Sequence, residues 1–498
     1  MMISQVRNSI LDFSKSDKHN PIICGLAIGL YPMLYYYDQN FTLVNSWSQF
    51  GMFLLTFILI PIVLCFLIQK LVKLLPKWNF LKFVLPVFSF MYFSILLIVC
   101  TLGIKLKFMA IASFIAIILG MLLYKHLNKV IIFQLLLAIV ISPKLVPNIL
   151  YQLSYKTDWL KLPDNIVESK FNTFPNVYII QPDGYPNFSE LKKGYYSYDN
   201  SNIETFLASH GFKLYSDFRS NYFSTLSSNS SMFSMKHHFY NYPKPGSNEV
   251  YNSRDIIVGE NAVVKTFKNN GYKTNLLLEK SYLLVNRPKL GFDYCNVNKN
   301  EVSFLARGFE INKDILEVLE ASINNTNEPN FYFIEKLKPG HINTYNRSSL
   351  GKEKERENYF VELEEANTWL KNAIELIEHK DPNALIVVVA DHGGFVGFDY
   401  TLECKIKQSD PDLIKSIFTA ALAVKWPNGE APQYDEKLKT NVNLFRILTA
   451  YLSSDISLLE HLQPDKSYTV LEEGAPFGVY EYINEDYEIA FEKIVSSN

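Results

Sequence analysis

Apolar residues crowd positions 21–150 of this chain, while charge is spread throughout positions 151–498. The hydrocarbon core of a bilayer needs about 20 apolar residues per helix. Residues 50–68 and 83–104 meet that length cleanly, and residues 108–124 are slightly short but free of charge. Residues 22–37 end in Tyr35, Tyr36 and Tyr37, an aromatic group suited to the membrane–water interface. A fifth run, 130–141, spans a bilayer only if its helix continues past Lys144 to about residue 150, with that lysine reaching the interface. No small-residue cleavage site follows residues 22–37, so the sequence predicts a retained span and not a cleaved signal peptide. The expectation is a transmembrane domain of about five helices over residues 1–150 and a second domain over 151–498.

Charge in the short loops sets the expected orientation. With the N-terminus in the cytoplasm, the inside segments hold Arg7, Lys15, Lys18, Lys70, Lys73, Lys77, Lys82, Lys125 and Lys129. The outside loops before the last helix hold only Lys105 and Lys107. Nine basic residues against two favour this arrangement, and five crossings then leave everything after residue 150 outside the cytoplasm. Four crossings, with 130–141 buried or interfacial, would leave the second domain inside.

The net charge of −2 supplies no basic face of the kind nucleic acid requires. No repeat, heptad run or low-complexity tract is present. Cys24, Cys65 and Cys100 fall in apolar segments and read as small buried side chains. Cys295 and Cys404 could pair in an oxidising compartment, which sequence alone does not decide.

In the second domain, short apolar runs at 177–181, 274–278, 331–337, 385–390 and 420–424 read as buried parallel strands. Helical patterns lie between them. Ser201 and Glu204 form a capping-box pair for a helix stopped by Gly211, residues 262–270 form another stopped by Gly271, and residues 355–378 form a longer charged one. Alternating strands and helices argue for an α/β domain with a mostly parallel sheet. Ligands of such sheets bind at the carboxyl ends of the strands.

Two strand ends carry acids followed closely by glycine: Gln181-Pro182-Asp183-Gly184-Tyr185 and Ala390-Asp391-His392-Gly393-Gly394. Carboxylate and imidazole are ligands for Zn²⁺ or Mn²⁺, and adjacent strand ends bring distant segments together. Taken alone, Asp183 reads as a turn residue of an Asp-Gly pair, and Asp391-His392 could be a helix cap followed by a solvent-facing imidazole. Between them lies a hydroxyl-rich stretch, 220–231. A hydroxyl attacks at neutral pH when a metal lowers its pKa, and a helix N-terminus helps hold the anion it attacks. Spacing alone does not select which hydroxyl reacts, and a polar loop is the simpler reading.

Together these segments, over about residues 174–485, resemble the sulfatase-like branch of the alkaline-phosphatase superfamily, which includes lipoteichoic-acid synthases and phosphoethanolamine transferases. Four pieces carry the resemblance in the right order: Gln181 to Tyr185; Ser220-Asn221-Tyr222 leading to Thr225, with Ser228 and Ser231 beyond; Ala390 to Gly393; and Asn441-Val442-Asn443-Leu444-Phe445-Arg446. The resemblance implies an alkaline-phosphatase-like fold with Thr225 as nucleophile. It also implies one divalent metal ion (Mn, Zn or Mg) held by Asp183, Asp391, His392 and the Thr225 oxygen. His341, in Lys338-Pro339-Gly340-His341, falls where the family places a histidine on the transferred group. His237 and His238 match no family ligand and read as surface or packed residues. No second cluster of His and Asp presents itself for a second metal.

The function so implied is transfer of a phosphoglycerol or phosphoethanolamine head group. The donor is a membrane lipid and the acceptor an envelope polysaccharide or glycolipid, at the outer face of a bacterial cytoplasmic membrane. A rival of the same fold is a membrane-bound hydrolase of phosphate or sulfate esters. Type I sulfatases need Cys or Ser in a C/S-x-P-x-R setting, and no such motif surrounds Thr225. A rival of another class is a non-catalytic scaffold or binding module, which the joint presence of Asp183, Thr225, Asp391 and His392 argues against.

Overall fold

A computed structural model describes the chain except for positions 1, 17, 76, 242, 247, 324–327 and 495–498. Two compact units result. The first comprises Met1–Lys156 with the short stretches Val285–Arg287 and Ser303–Arg307, and the second comprises the rest. The division therefore falls six residues beyond the expected one at 150, because the last helix of the first unit runs to Ser154.

All five apolar runs of the first unit lie in helices apart from Gly103, Ile104 and Leu123. Among the described residues, three helical stretches are long and apolar enough to cross a membrane: Trp47–Leu74, Asn79–Leu102 and Tyr124–Ser154. Leu106–Leu122 is apolar but only 17 residues long. Pro21–Asn40 has 20 residues and carries the tyrosine cluster near its end. The short run 130–141 sits inside Leu127–Ser154, which continues past Lys144 with Pro143 and Pro147 within it. Only 28% of each spanning window is buried, so most of the apolar surface of these helices faces outward, as lipid contact requires. Close backbone approach explains two glycines: a Cβ at Gly29 would stand 1.4 Å from the Phe57 carbonyl oxygen, and one at Gly120 would stand 2.6 Å from the Val87 Cα.

The second unit is built on strands β1 (Val177–Pro182), β2 (Lys213–Leu214), β3 (Lys273–Leu278), β4 (Tyr294–Cys295), β5 (Asn330–Lys336), β6 (Leu385–Val389) and β7 (Leu422–Lys425). Their order in the sheet is β2-β7-β6-β1-β5-β3-β4. β1 lies at the centre, parallel to β5 and β6, with Ile180 beside both Ile334 and Val388. β3 and β4 extend the parallel part. β7 corrects the reading of 420–424 as a parallel strand, since it runs antiparallel to β6 and β2 runs antiparallel to it. An apolar run buried on both faces has the same composition whichever way it points. Beyond this sheet, β8 (Ser467–Leu471), β9 (Gly478–Ile483) and β10 (Ile489–Lys493) form a separate antiparallel sheet.

Helix Lys352–Lys380 covers the expected charged helix, and Ala262–Asn269 ends one residue before the expected stop, with Gly271 at φ +77° just beyond. The capping box at Ser201 and Glu204 is absent. Helix Ser201–Ser209 has Asn200 as its cap with no side-chain hydrogen bond, and Asp199 Oδ1 accepts from the Ser201 N–H at 3.0 Å. Glu204 is drawn away by Lys192, whose ammonium lies 2.7 Å from its carboxylate.

Candidate active site

Parallel pairing puts the ends of β1 and β6 side by side, and each chain turns sharply after its strand. Asp183 follows Pro182 directly, and its N–H donates to the Lys336 carbonyl of β5 at 2.9 Å. Gly184 takes φ +65°, and a Cβ there would stand 2.0 Å from the Gly340 carbonyl oxygen, so the turn after Asp183 admits only glycine. Asp391 and His392 follow β6. Asp391 Oδ1 accepts from the N–H groups of Gly184 and His392, both at 3.0 Å, which ties the two turns together.

Thr225 is the first residue of helix Thr225–Ser234, capped by Ser224, whose Oγ accepts from the Ser227 N–H at 3.4 Å. Its hydroxyl therefore stands at a helix N-terminus, where backbone N–H groups and the helix dipole favour an anion. Thr225 Oγ1 donates to Asp183 Oδ1 at 3.1 Å and lies 3.2 Å from His392 Nε2. Of the hydroxyls in the stretch 220–231, it is the one that meets this cluster. Ser220 Oγ reaches the Tyr222 and Phe418 carbonyls, Ser227 Oγ reaches the Asn248 carbonyl, and Ser231 Oγ reaches the Ser228 carbonyl.

The donor set fits a divalent cation. Asp183, Asp391 and His392 are buried and each offers a ligand atom within 4.8 Å of the others. His392 Nδ1 lies 2.8 Å from the Gly393 carbonyl, which can only accept, so Nδ1 carries hydrogen and Nε2 of the neutral ring presents its lone pair. That lone pair faces Asp183 Oδ1 and Asp391 Oδ2, each at 3.4 Å. Asp391 Oδ2 has no hydrogen-bond partner although Asp391 is fully buried. Three electron-rich atoms converging in a dry pocket need positive charge between them. Without a metal, protons supply it. Burial, with the nearby Asp183, pushes the Asp391 carboxyl up to about 6 against the opposing effect of His392. Burial disfavours the His392 imidazolium, but the carboxylates of Asp391 and Asp183 outweigh it and raise that pKa.

His341 stands next to this cluster, its ring centroid 5.8 Å from that of His392. Its Nδ1 donates to the Ile342 carbonyl at 2.7 Å, which leaves Nε2 free on an exposed side chain. His237 and His238 are packed and play no part in the cluster. His238 stacks on Tyr222 with centroids 3.8 Å apart and bonds the Ser227 carbonyl, and His237 bonds the Pro464 carbonyl. All five cysteines are free thiols.

Two residues near the site have no role assigned to them by the sequence. Glu335, near the end of β5, is fully buried with neither carboxylate oxygen partnered. Burial and the charges of Asp183, Asp391 and Glu279 push its pKa well up, so it stands as a neutral acid beside the cluster. The visible signal was an acid directly after the apolar run 331–334. Asn441 is the other: its Nδ2 lies 3.1 Å from both Ser228 Oγ and the Ala390 carbonyl, joining the Thr225 helix to the end of β6. Asn221 Oδ1 accepts from the Val442 N–H at 2.8 Å, which ties the stretch before the Thr225 helix to the residue after Asn441.

Fold and site together define an enzyme of the sulfatase-like superfamily. The chain belongs to the Sulfatase family, whose model matches residues 175–452. The match stops short of the β8–β10 sheet. Solved structures similar to this chain include the full-length lipooligosaccharide phosphoethanolamine transferase A (EptA) from Neisseria meningitidis. That similarity has 13% identity and a TM-score of 0.41, over 87% of this chain and 95% of that one. The lipoteichoic acid synthase LtaP from Listeria monocytogenes is similar at 13% identity and a TM-score of 0.41, over 67% and 92% of the two chains. The C-terminal periplasmic domain of EcEptC from Escherichia coli is similar at 11% identity and a TM-score of 0.40, over 62% and 93%. Among curated proteins, none matches the chain.

Proposed function

We propose that this protein transfers a phosphate-bearing head group, of phosphoglycerol or phosphoethanolamine type, from a membrane lipid to a glycan or lipid of the cell envelope. The transfer passes through a covalent intermediate on Thr225. The observation that carries this reading is the Thr225 hydroxyl at a helix N-terminus, 3.1 Å from Asp183 and 3.2 Å from His392. The lack of a C/S-x-P-x-R motif around Thr225 favours phosphoryl transfer over sulfate-ester hydrolysis. Helices able to cross a membrane, joined in one chain to this site, suit a donor that is itself in the membrane.

Asp183, Asp391 and His392, with the Thr225 oxygen, would hold one divalent ion of the Mn, Zn or Mg type. When bound, such an ion lowers the pKa of a hydroxyl and neutralises charge on the phosphoryl group. The residues of the chain do the rest. The hydrogen bond from Thr225 to Asp183 Oδ1 turns the hydroxyl proton aside and leaves an oxygen lone pair for attack. The new Oγ1–P bond forms as the bond from phosphorus to the lipid alcohol breaks. The departing alcohol gains the proton that Thr225 gives up. The N-terminus of helix Thr225–Ser234 and the free Nε2 of His341 face the transferred group. An acceptor hydroxyl then displaces Thr225, giving its proton back to Oγ1.

Intact mass spectrometry of the full-length protein, after exposure to phosphatidylglycerol or phosphatidylethanolamine, tests the reading. The expected result is a head-group adduct on Thr225 that disappears when acceptor is added and never forms in Thr225→Ala. An adduct on Ser224, Ser227 or Ser228, or turnover by Thr225→Ala, would overturn the assignment. Release of the head group to water with no transfer would make the enzyme a hydrolase.

A further inference from the structure

Within the helical unit, a cavity of about 270 Å³ lies between helix Pro21–Asn40, the start of Trp47–Phe53 and the last turns of Leu127–Ser154. Its apolar wall includes Leu34, Phe50, Leu145 and Ile149. None of its lining residues carries a charge. Polar groups are confined to the ends of the contributing helices. Gln152 belongs to the last turn of its helix, and Tyr37 lies one turn before the end of its own. The Tyr37 hydroxyl is buried and has no hydrogen-bond partner. A buried hydroxyl left unpaired is costly, so the cavity presents an unmet donor beside an apolar slot.

We propose that this cavity seats one ester-linked acyl chain of the glycerolipid that donates the head group. The proposal rests on the reading that the donor is a lipid. The volume is smaller than the roughly 300–1,000 Å³ of pockets that take whole drug-sized ligands, which suits a length of one chain and not an entire lipid. The uncharged lining excludes a free fatty-acid carboxylate, while an ester carbonyl would accept from the Tyr37 hydroxyl. Residues 152 and 153 line the cavity, and the chain enters the catalytic unit at Thr157. The polar end of the cavity is therefore at the end of the helices from which the catalytic unit begins.

Photolabelling decides the matter. The full-length protein in nanodiscs containing a phosphatidylglycerol with a diazirine on one acyl chain is irradiated and digested. Peptides spanning 33–41 and 145–153 should carry several times more label than the outward-facing helix Leu106–Leu122. Ile149→Trp, at a half-exposed position, should fill the slot, remove that excess and raise the KM for the lipid donor about tenfold, a loss of about 1.4 kcal/mol in binding. Leu122→Trp, on the exposed face of its helix, should leave labelling and KM unchanged. Tyr37→Phe should lower the labelling in part. Even labelling over all apolar helices, or an undiminished excess in Ile149→Trp, would overturn the proposal. If the Thr225 adduct still forms in that case, the head-group-transfer reading stands and only the lipid seat is lost. If no donor gives the adduct, both fall.

Discussion

Gln181 and Asn229 exchange two amide hydrogen bonds, Gln181 Nε2 to Asn229 Oδ1 at 2.8 Å and Asn229 Nδ2 to Gln181 Oε1 at 2.7 Å. Gln181 stands two residues before Asp183, and Asn229 stands one helical turn after Thr225. The closed pair therefore fixes the distance between carboxylate and hydroxyl, while Asn441 fixes the same helix against the end of β6 from another side. Asn229→Ala strands the buried Gln181 amide, at a cost of about 1–3 kcal/mol. The double variant Gln181→Leu/Asn229→Leu removes both polar groups and should recover part of that stability in urea unfolding without recovering turnover. A single variant with unchanged urea midpoint and unchanged kcat would show that the pair positions nothing.

Asp391→Ala and His392→Ala should abolish bound metal by elemental analysis and abolish turnover, with circular dichroism unchanged. Both residues lie beyond the end of β6, so they contribute to the site more than to the core. In the parent protein, metal at a hundred times its Kd should add about 2.7 kcal/mol of stability. Neither variant should show that gain. Full metal content in either one would remove it from the ligand set.

Much of this arrangement was legible in the sequence because it depends on local chemistry. Apolar runs of the right length gave the helices of the first unit, and acids followed by glycine marked the ends of β1 and β6. What was not legible depends on pairing between distant segments. The direction of β7 leaves no trace in a run such as Leu422–Lys425 that is buried on almost every side. The identity of the reacting hydroxyl among seven Ser and Thr candidates in 220–231 depends on which one the helix start turns toward Asp183. The Ser201–Glu204 box failed because Lys192, twelve residues before Glu204, competes for the same carboxylate. Glu335 was passed over because it adjoins Lys336 at the end of its strand, where charge is ordinary, yet its unpartnered carboxyl is among the most unusual groups near the site.

The catalytic unit is expected outside the cytoplasm, on the nine-to-two bias of basic residues in the short loops. Paired C-terminal fusions to alkaline phosphatase and to a fluorescent protein report the side directly. Phosphatase activity without fluorescence is the expected result. Fluorescence without phosphatase activity would mean an even number of crossings and would place the donor lipid in the inner leaflet.

The last prediction concerns pH, and its sign follows from three groups. Burial holds His237 down at about 4 and His238 at about 3, so both are neutral in the fold. Their contribution to stability is present above the ordinary imidazole value of 6.5 and is lost as pH falls through it toward those values. Asp391 has the opposite sign. Burial and Asp183 push it up to about 6, so in the metal-free fold its contribution is present at low pH and is lost as pH rises through about 6. A metal ion needs the Asp391 carboxylate ionised and must displace that proton. Apparent metal affinity should then fall at least tenfold per pH unit below about 6, and it keeps rising above 6 until His392, whose pKa Asp391 and Asp183 raise, has also lost its proton. The measurement is the difference in thermal midpoint between metal-loaded and chelator-treated protein at pH 5, 6, 7 and 8. The two histidines contribute equally to both arms and cancel. A metal-induced increase that grows from pH 5 to pH 7 is expected. A difference that is flat, or larger at pH 5, would mean that Asp391 is not a ligand.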